Sequence, residues 1–151
     1  MIAAARRGRR GMKVWKRDAT VEAVQERLRG CMPGLLDIRI LEMGEDVIRA
    51  EMPVDSRHAQ PFGLLHGGAS VVLSETLGSI ATLLASPEGT RDVGIEVNAN
   101  HMLPVPVGQT VTGECRPMHL GRTTQVWQTE IRRADGRLAC VSRLTCAVIP
   151  G

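Results

Sequence analysis

The chain has 151 residues, 43% hydrophobic and 23% charged, with a formal net charge of +3. That is enough for one domain with a core of its own, and the balance excludes a disordered, fibrous or collagen-like chain. The charge is lopsided: seven of the 19 basic residues (Arg6, Arg7, Arg9, Arg10, Lys13, Lys16 and Arg17) precede the first acid, Asp18, and the rest of the chain is net acidic. Gly8 and Gly11 break this run, only Trp15 interleaves an aromatic, and no apolar segment follows it. These features argue against a nucleic-acid-binding arm and against an export signal. The expected division is a basic tail at 1–11, disordered or an extension ahead of a start at Met12, and a single domain at 12–151.

In chain order, residues 20–29 carry an amphipathic stripe of Val21, Val24 and Leu28, with Thr20 placed to cap the start and Gly30 to end the helix. Pro33-Gly34 predicts a turn. Alternation from Leu36 through Ile38 and Ile40 predicts a strand, and Gly44-Glu45-Asp46 turns it into a second arm at 47–52. A polar loop leads to a long apolar helix beginning at Gly67-Gly68. After Pro87-Glu88-Gly89 the pattern predicts four strands, at 92–103, 110–119, 123–133 and 138–149. Gly136 supplies the positive φ that the last hairpin requires. Two strands, one long helix and four strands predict an α+β fold in which one antiparallel sheet wraps the helix and buries it on most sides.

The core must be almost wholly aliphatic, because Trp15, Trp127 and Phe62 are the only aromatics. Cys31, Cys115, Cys140 and Cys146 show neither C-x-x-C spacing nor nearby histidines, which argues against zinc. Cys140 and Cys146 share a strand face, as ordinary buried thiols do, and reduced cysteines point to the cytoplasm.

Glu75 is the only charge between Gly67 and Pro87. An ionised carboxylate in a buried helix costs several kcal/mol unless it is paired or solvated. No Lys or Arg lies within four residues to pair it. It is therefore either a structural carboxylate bonded to a loop or a reactive one in a water-containing cleft. A membrane span is excluded by Glu75 itself, by the glycines and by the serines and threonines that interrupt the apolar run. Gly67 and Gly68 open this helix, where backbone N–H groups lack intrahelical partners and the macrodipole is positive. Either they relieve crowding at the helix entry, or they let a ligand oxygen approach those donors as an oxyanion hole does.

Gln60, His66-Gly67-Gly68, Glu75 and Ser79, in this element order, resemble the hotdog-fold acyl-CoA thioesterases. The likeness is strongest to the branch of 4-hydroxybenzoyl-CoA thioesterase, 1,4-dihydroxy-2-naphthoyl-CoA hydrolase and the proofreading thioesterase of aryl siderophore synthesis. It runs on through 93–101 and His119-Leu120-Gly121-Arg122, and spans about 12–150 of the chain. The resemblance implies that Glu75 is the nucleophile or the base for the attacking water. It implies that the Gly67 N–H binds the thioester oxygen, that Gln60 orients the thioester and that Ser79 helps to place water or carboxylate. His66 either supports the thioester and departing thiolate or simply caps the helix. Gly68, Phe62, His101, Met102 and Arg122 are the expected substrate contacts. Arg122 and Arg143 are either phosphate contacts for coenzyme A or solvated edge charges. Relatives follow the His101 position with a histidine and a basic residue, where Met102 and Leu103 stand here.

The resemblance implies no metal and no cofactor beyond the coenzyme A of the substrate. It implies an acyl- or aryl-CoA substrate, also an acyl or aryl carrier protein, and a homodimer with composite sites that pairs into a tetramer. No nucleic acid or membrane partner is expected. Two other functions compete. A hydratase or dehydratase would need a histidine working with an acid near Cα and Cβ of the acyl chain. A non-catalytic acyl-CoA sensor would normally carry an output module.

Overall fold

The computed structural model describes residues 13–151, so the basic tail expected at 1–11 lies outside the described residues. The segment from Lys13 is already part of the fold. Trp15 stacks on the fully buried Trp127, with ring centroids 5.9 Å apart, and donates its indole N–H to the Gly44 carbonyl at 2.6 Å. The Lys16 and Arg17 N–H groups both reach the Leu84 carbonyl.

Helix α1 (Val21–Leu28) is capped by Thr20, whose hydroxyl accepts from the Ala23 N–H at 3.2 Å, and it buries Val24 and Leu28. Pro33-Gly34 is not a plain turn. It lies in a short helix, α2 (Met32–Leu35), with Pro33 in the first turn, where its missing N–H costs nothing. This displaces the strand predicted from Leu36: the chain turns there, Asp37 takes φ +50, and β1 runs only Arg39–Met43. Strands β2 (Ile48–Pro53), β3 (Thr90–His101), β4 (Thr110–Leu120), β5 (Thr124–Arg133) and β6 (Leu138–Pro150), with helix α3 (Gly67–Ala85) between β2 and β3, fall close to their predicted positions.

The six strands form one antiparallel sheet in the order β1-β2-β4-β5-β6-β3. Helix α3 lies across it and packs on five strands, β2 to β6. Leu73, Leu77 and Ala81 are fully buried against Ala50, Met52, Val111, Trp127 and Ile131. Each large apolar side chain so buried contributes about 1.5–3 kcal/mol. Cys115, Cys140 and Cys146 are buried in the same layer, and burial pushes the Cys115 thiol up to about 12. This is the α+β hotdog arrangement.

One expectation needs correction. The sheet buries ten of the 19 residues of α3, but the helix is not enclosed on most sides. Val71, Val72, Thr76, Ser79, Ile80 and Leu83 are only half-buried, and Glu75 is exposed. The charge that looked costly from sequence sits on the open face, with the sheet at its back. Helix α3 has the length and apolarity of a membrane span, yet about half of it is buried inside the protein.

The second positional fact concerns β3. It pairs with β6 along its length and occupies the end of the sheet, so its other edge has no strand beside it among the described residues. Val93 and Ile95 are exposed there at 45% and 61%.

Candidate active site

The entry to α3 is shaped by a loop that His58 holds down. His58 is buried, with Nε2 2.9 Å from the Leu36 carbonyl and Nδ1 3.0 Å from Asp55, and its own carbonyl accepts the His66 N–H at 2.7 Å. Within the loop, Gln60 and Gly63 close a tight turn, the Gly63 N–H meeting the Gln60 carbonyl at 3.0 Å. The Phe62 N–H donates to the Gln60 side-chain oxygen. That bond leaves the amide NH2 of Gln60 as a donor for a ligand. Phe62 itself is 86% exposed at the tip.

His66 is the N-cap of α3. Its Nδ1 accepts the Gly68 N–H at 2.8 Å, so the ring carries its proton on Nε2. The capping role weighed for His66 is therefore real, and it uses the Gly68 N–H within the protein. Gly67 differs. Its N–H has no protein acceptor among the described residues, and it points from the positive end of a 19-residue helix. A Cβ on Gly67 would lie 2.8 Å from Nε2 of His101, so only glycine allows that imidazole against the helix entry. Gln60, Gly67, His101, Met102 and Leu103 together line a cleft of about 400 Å3.

Glu75 lies two turns further on, in a different cleft of about 400 Å3. Val72, Thr76, Ser79 and Ile80 of α3 form one wall, and Leu28, Met32 and Pro33 form the other. The short helix α2 thus supplies part of the acid's surroundings. Behind Glu75 runs β3, and a Cβ on Gly94 would stand 3.1 Å from its Oε1. The strand makes room for the carboxylate by having no side chain there.

Ser79 does not hydrogen-bond Glu75 among the described residues. Its hydroxyl lies against the Asp92 carboxylate and the Cys146 thiol instead. Burial raises the Asp92 carboxyl above the usual range, opposed by its own backbone N–H, by Ser79 and by the charge of Arg17. Sequence reasoning missed Asp92 and Gly94. Gly94, a glycine inside a strand, was a readable signal of close approach. Asp92 has the same parity two residues earlier, which places it on the face that α3 covers.

Within one chain the donors and the carboxylate do not meet. Gly67 and Glu75 are eight residues apart, about 12 Å along a helix. Arg122 is exposed at the turn between β4 and β5, beside the end of β6 that pairs with the start of β3, and so at the opposite end of the sheet from Gly67 and His101. Arg143 alternates with buried Ser142 and Leu144, and so stands on the face turned away from α3. No cluster of three or more metal-ligating side chains occurs among the described residues.

An open backbone donor at a helix N-terminus and a carboxylate in a cleft are the parts of an acyl-transfer site. The thioesterase superfamily model matches residues 62–140. The chain is 52% identical over 136 residues to the 1,4-dihydroxy-2-naphthoyl-CoA hydrolase of Escherichia coli K12, a match covering 90% of this chain and 99% of that protein. It is 47% identical over 136 residues to the proofreading thioesterase EntH of Cronobacter sakazakii, covering 90% and 98%. Among solved structures, a thioesterase of Haemophilus influenzae matches with a TM-score of 0.87 at 48% identity, covering 91% of this chain and 95% of that one. The chain belongs to the thioesterase superfamily. It is a thioester hydrolase of the hotdog fold.

Proposed function

We propose that the protein hydrolyses aromatic acyl-CoA thioesters at sites shared between two copies of the chain. The observation that carries this reading is the division of α3 into a donor half and a carboxylate half. A single thioester carbonyl must lie about 3 Å from both an oxyanion donor and an attacking atom. With 12 Å of rigid helix between Gly67 and Glu75, the two must come from different subunits, with two α3 helices facing each other across a twofold axis. The unpaired edge of β3, with Val93 and Ile95 exposed along it, supports pairing with a second copy.

In this site the Gly67 N–H and the positive end of α3 bind the oxygen that gains charge, and the Gln60 amide fixes the thioester's orientation. His101 and Met102 border the same cleft. From the partner, Glu75 either attacks the carbonyl carbon or takes a proton from the water that does. The C–S bond breaks and coenzyme A leaves as thiolate, with the Nε2–H of His66 as a nearby donor. In the covalent route, water then cleaves the acyl–Glu75 anhydride and restores the carboxylate. One relative, named as a 1,4-dihydroxy-2-naphthoyl-CoA hydrolase, supports an aromatic substrate. A carrier-protein thioester is a second substrate class, as the resemblance to the thioesterases of aryl siderophore synthesis implies. Arg122 is free at the surface to meet coenzyme A phosphates. The buried, unpaired thiols fit a cytoplasmic setting.

The test is thiol release from benzoyl-type, short-chain and long-chain acyl-CoA, with aryl carrier protein alongside. Benzoyl-type thioesters are expected to exceed palmitoyl-CoA in kcat/KM. A preference for palmitoyl-CoA would assign the protein to another branch, and water loss from a 3-hydroxyacyl-CoA without thiol release would make it a dehydratase.

A further inference from the structure

The cleft that holds Glu75 does not end at Ser79. Leu28, Ser79 and Ile80 also line a larger cavity of about 520 Å3, so the two spaces join into one trough between α1 and the open face of α3. Its walls are aliphatic, with Val24 and Leu28 on one side and Ile80, Leu83 and Leu84 on the other. An acyl group leaving the carbonyl at Glu75 toward the C-terminus of α3 has apolar surface beside it for one helical turn, about 6 Å. Then it meets Asp92.

Three observations bear on Asp92, which lines that path together with Ser79. It shares a face of β3 with Gly94, which packs on Glu75, and its carboxylate lies on Ser79, one turn after Glu75. The thiol of Cys146, paired with Gly94 across the sheet, feels both carboxylates. And no salt bridge holds Asp92 among the described residues. Arg17, the cation facing it, donates instead to the carbonyls of Ser86, Pro87 and Thr90. Asp18 in the same cavity is paired with Lys13, while Arg27 and Glu88 stand exposed at the rim.

A half-buried carboxylate in apolar walls, with one hydroxyl beside it and no ion pair, has acceptor capacity left over. Leaving it unmet costs free energy that a ligand donor removes. We propose that Asp92, with Ser79, is a specificity-determining pair that accepts a hydrogen bond from a hydroxyl on the acyl group, at the end remote from the thioester. This deepens the functional reading above and rests on it for the position of the carbonyl.

The experiment compares kcat/KM for 3- and 4-hydroxybenzoyl-CoA with the matched methylbenzoyl-CoA, in the wild type, Asp92→Asn and Asp92→Val. The wild type is expected to favour one hydroxylated substrate by about 10-fold, a typical discrimination for a buried hydrogen bond. Asp92→Val is expected to bring that ratio near one, and Asp92→Asn, which keeps an acceptor oxygen, to retain part of it. Both substrates meet the same preparation, so any loss of folded protein cancels from the ratio. No preference in the wild type, or the same preference in Asp92→Val, overturns the inference. Absence of thiol release from every aroyl-CoA overturns the functional reading and this inference together.

Discussion

The two halves of α3 are built on opposite principles. At its entry the groups offered to a ligand are donors: the Gly67 N–H, the Gln60 amide and the His66 ring proton. They are held by backbone bonds in a loop anchored on buried His58, and they sit at the positive end of the helix. Two turns later the groups are acceptors: Glu75, and then Asp92 beside Ser79. There the macrodipole has faded, and the properties of each carboxylate come from the cleft around it. A rigid helix that carries both halves also keeps them apart. The same rigidity that preorganises each half keeps the Gly67 N–H and Glu75 of one chain about 12 Å apart.

The sharpest test of the carboxylate half is Glu75→Gln. Since Glu75 is exposed in the single chain, the variant is expected to fold normally and to lose at least ~10²-fold in kcat, the scale of a lost nucleophile or base. Circular dichroism and thiol-release kinetics on one preparation check both. Normal turnover would remove Glu75 from the chemistry.

Whether the halves come from different chains is decided by complementation. Gln60→Ala and Glu75→Ala, each expected to be inactive alone, are unfolded together and refolded in equal amounts. Random pairing makes about half the dimers mixed, each with one intact and one doubly damaged site, so activity is expected to return to about a quarter of wild type. If mixed dimers form and no activity returns, each site belongs to one chain.

A smaller loss is expected from Gly67→Ala, because a Cβ there pushes on His101 Nε2 at 2.8 Å and shifts the donor without deleting it. The expected fall is roughly 10-fold in kcat, below the ~10² of losing an oxyanion donor outright. In a His101→Ala background the same substitution is expected to cost less, since the obstruction is gone. Equal cost in both backgrounds would show that the imidazole is not what the glycine accommodates.

The mildest effect belongs to Gly94→Ala. At 3.1 Å the new methyl group crowds Oε1 of Glu75, and the carboxylate must move by a few tenths of an ångström. Misplacement on that scale is expected to lower kcat several-fold with little change in KM. A stability loss with unchanged kcat would mean that the glycine serves packing alone.

Much of this molecule is legible in its sequence. Strands β2 to β6 follow from alternation, and α1 from its stripe and its Thr20 cap. The long helix stands out because nineteen residues without a proline carry a single charge. The candidate residues Gln60, His66, Gly67 and Glu75 stand out in the sequence as a spaced motif along one segment. Where reading failed, the determinant was not local. Pro33-Gly34 serves a turn or a first helical turn equally well, and the packing of α2 beside α3 decided between them. Ser79 lies on Asp92 rather than on Glu75 because β3, distant in the chain, brings that carboxylate to it.

Sequence alone thus determined the elements other than α2 and the start of β1, and the one charged helix position, since each depends on neighbours a few residues apart. Only the tertiary structure decided that Glu75 faces an open cleft, that Gly94 clears space for it and that Asp92 lines the trough beyond. Those facts depend on the register of α3 against β3, and pairings between segments so far apart are set by the packing of the whole sheet.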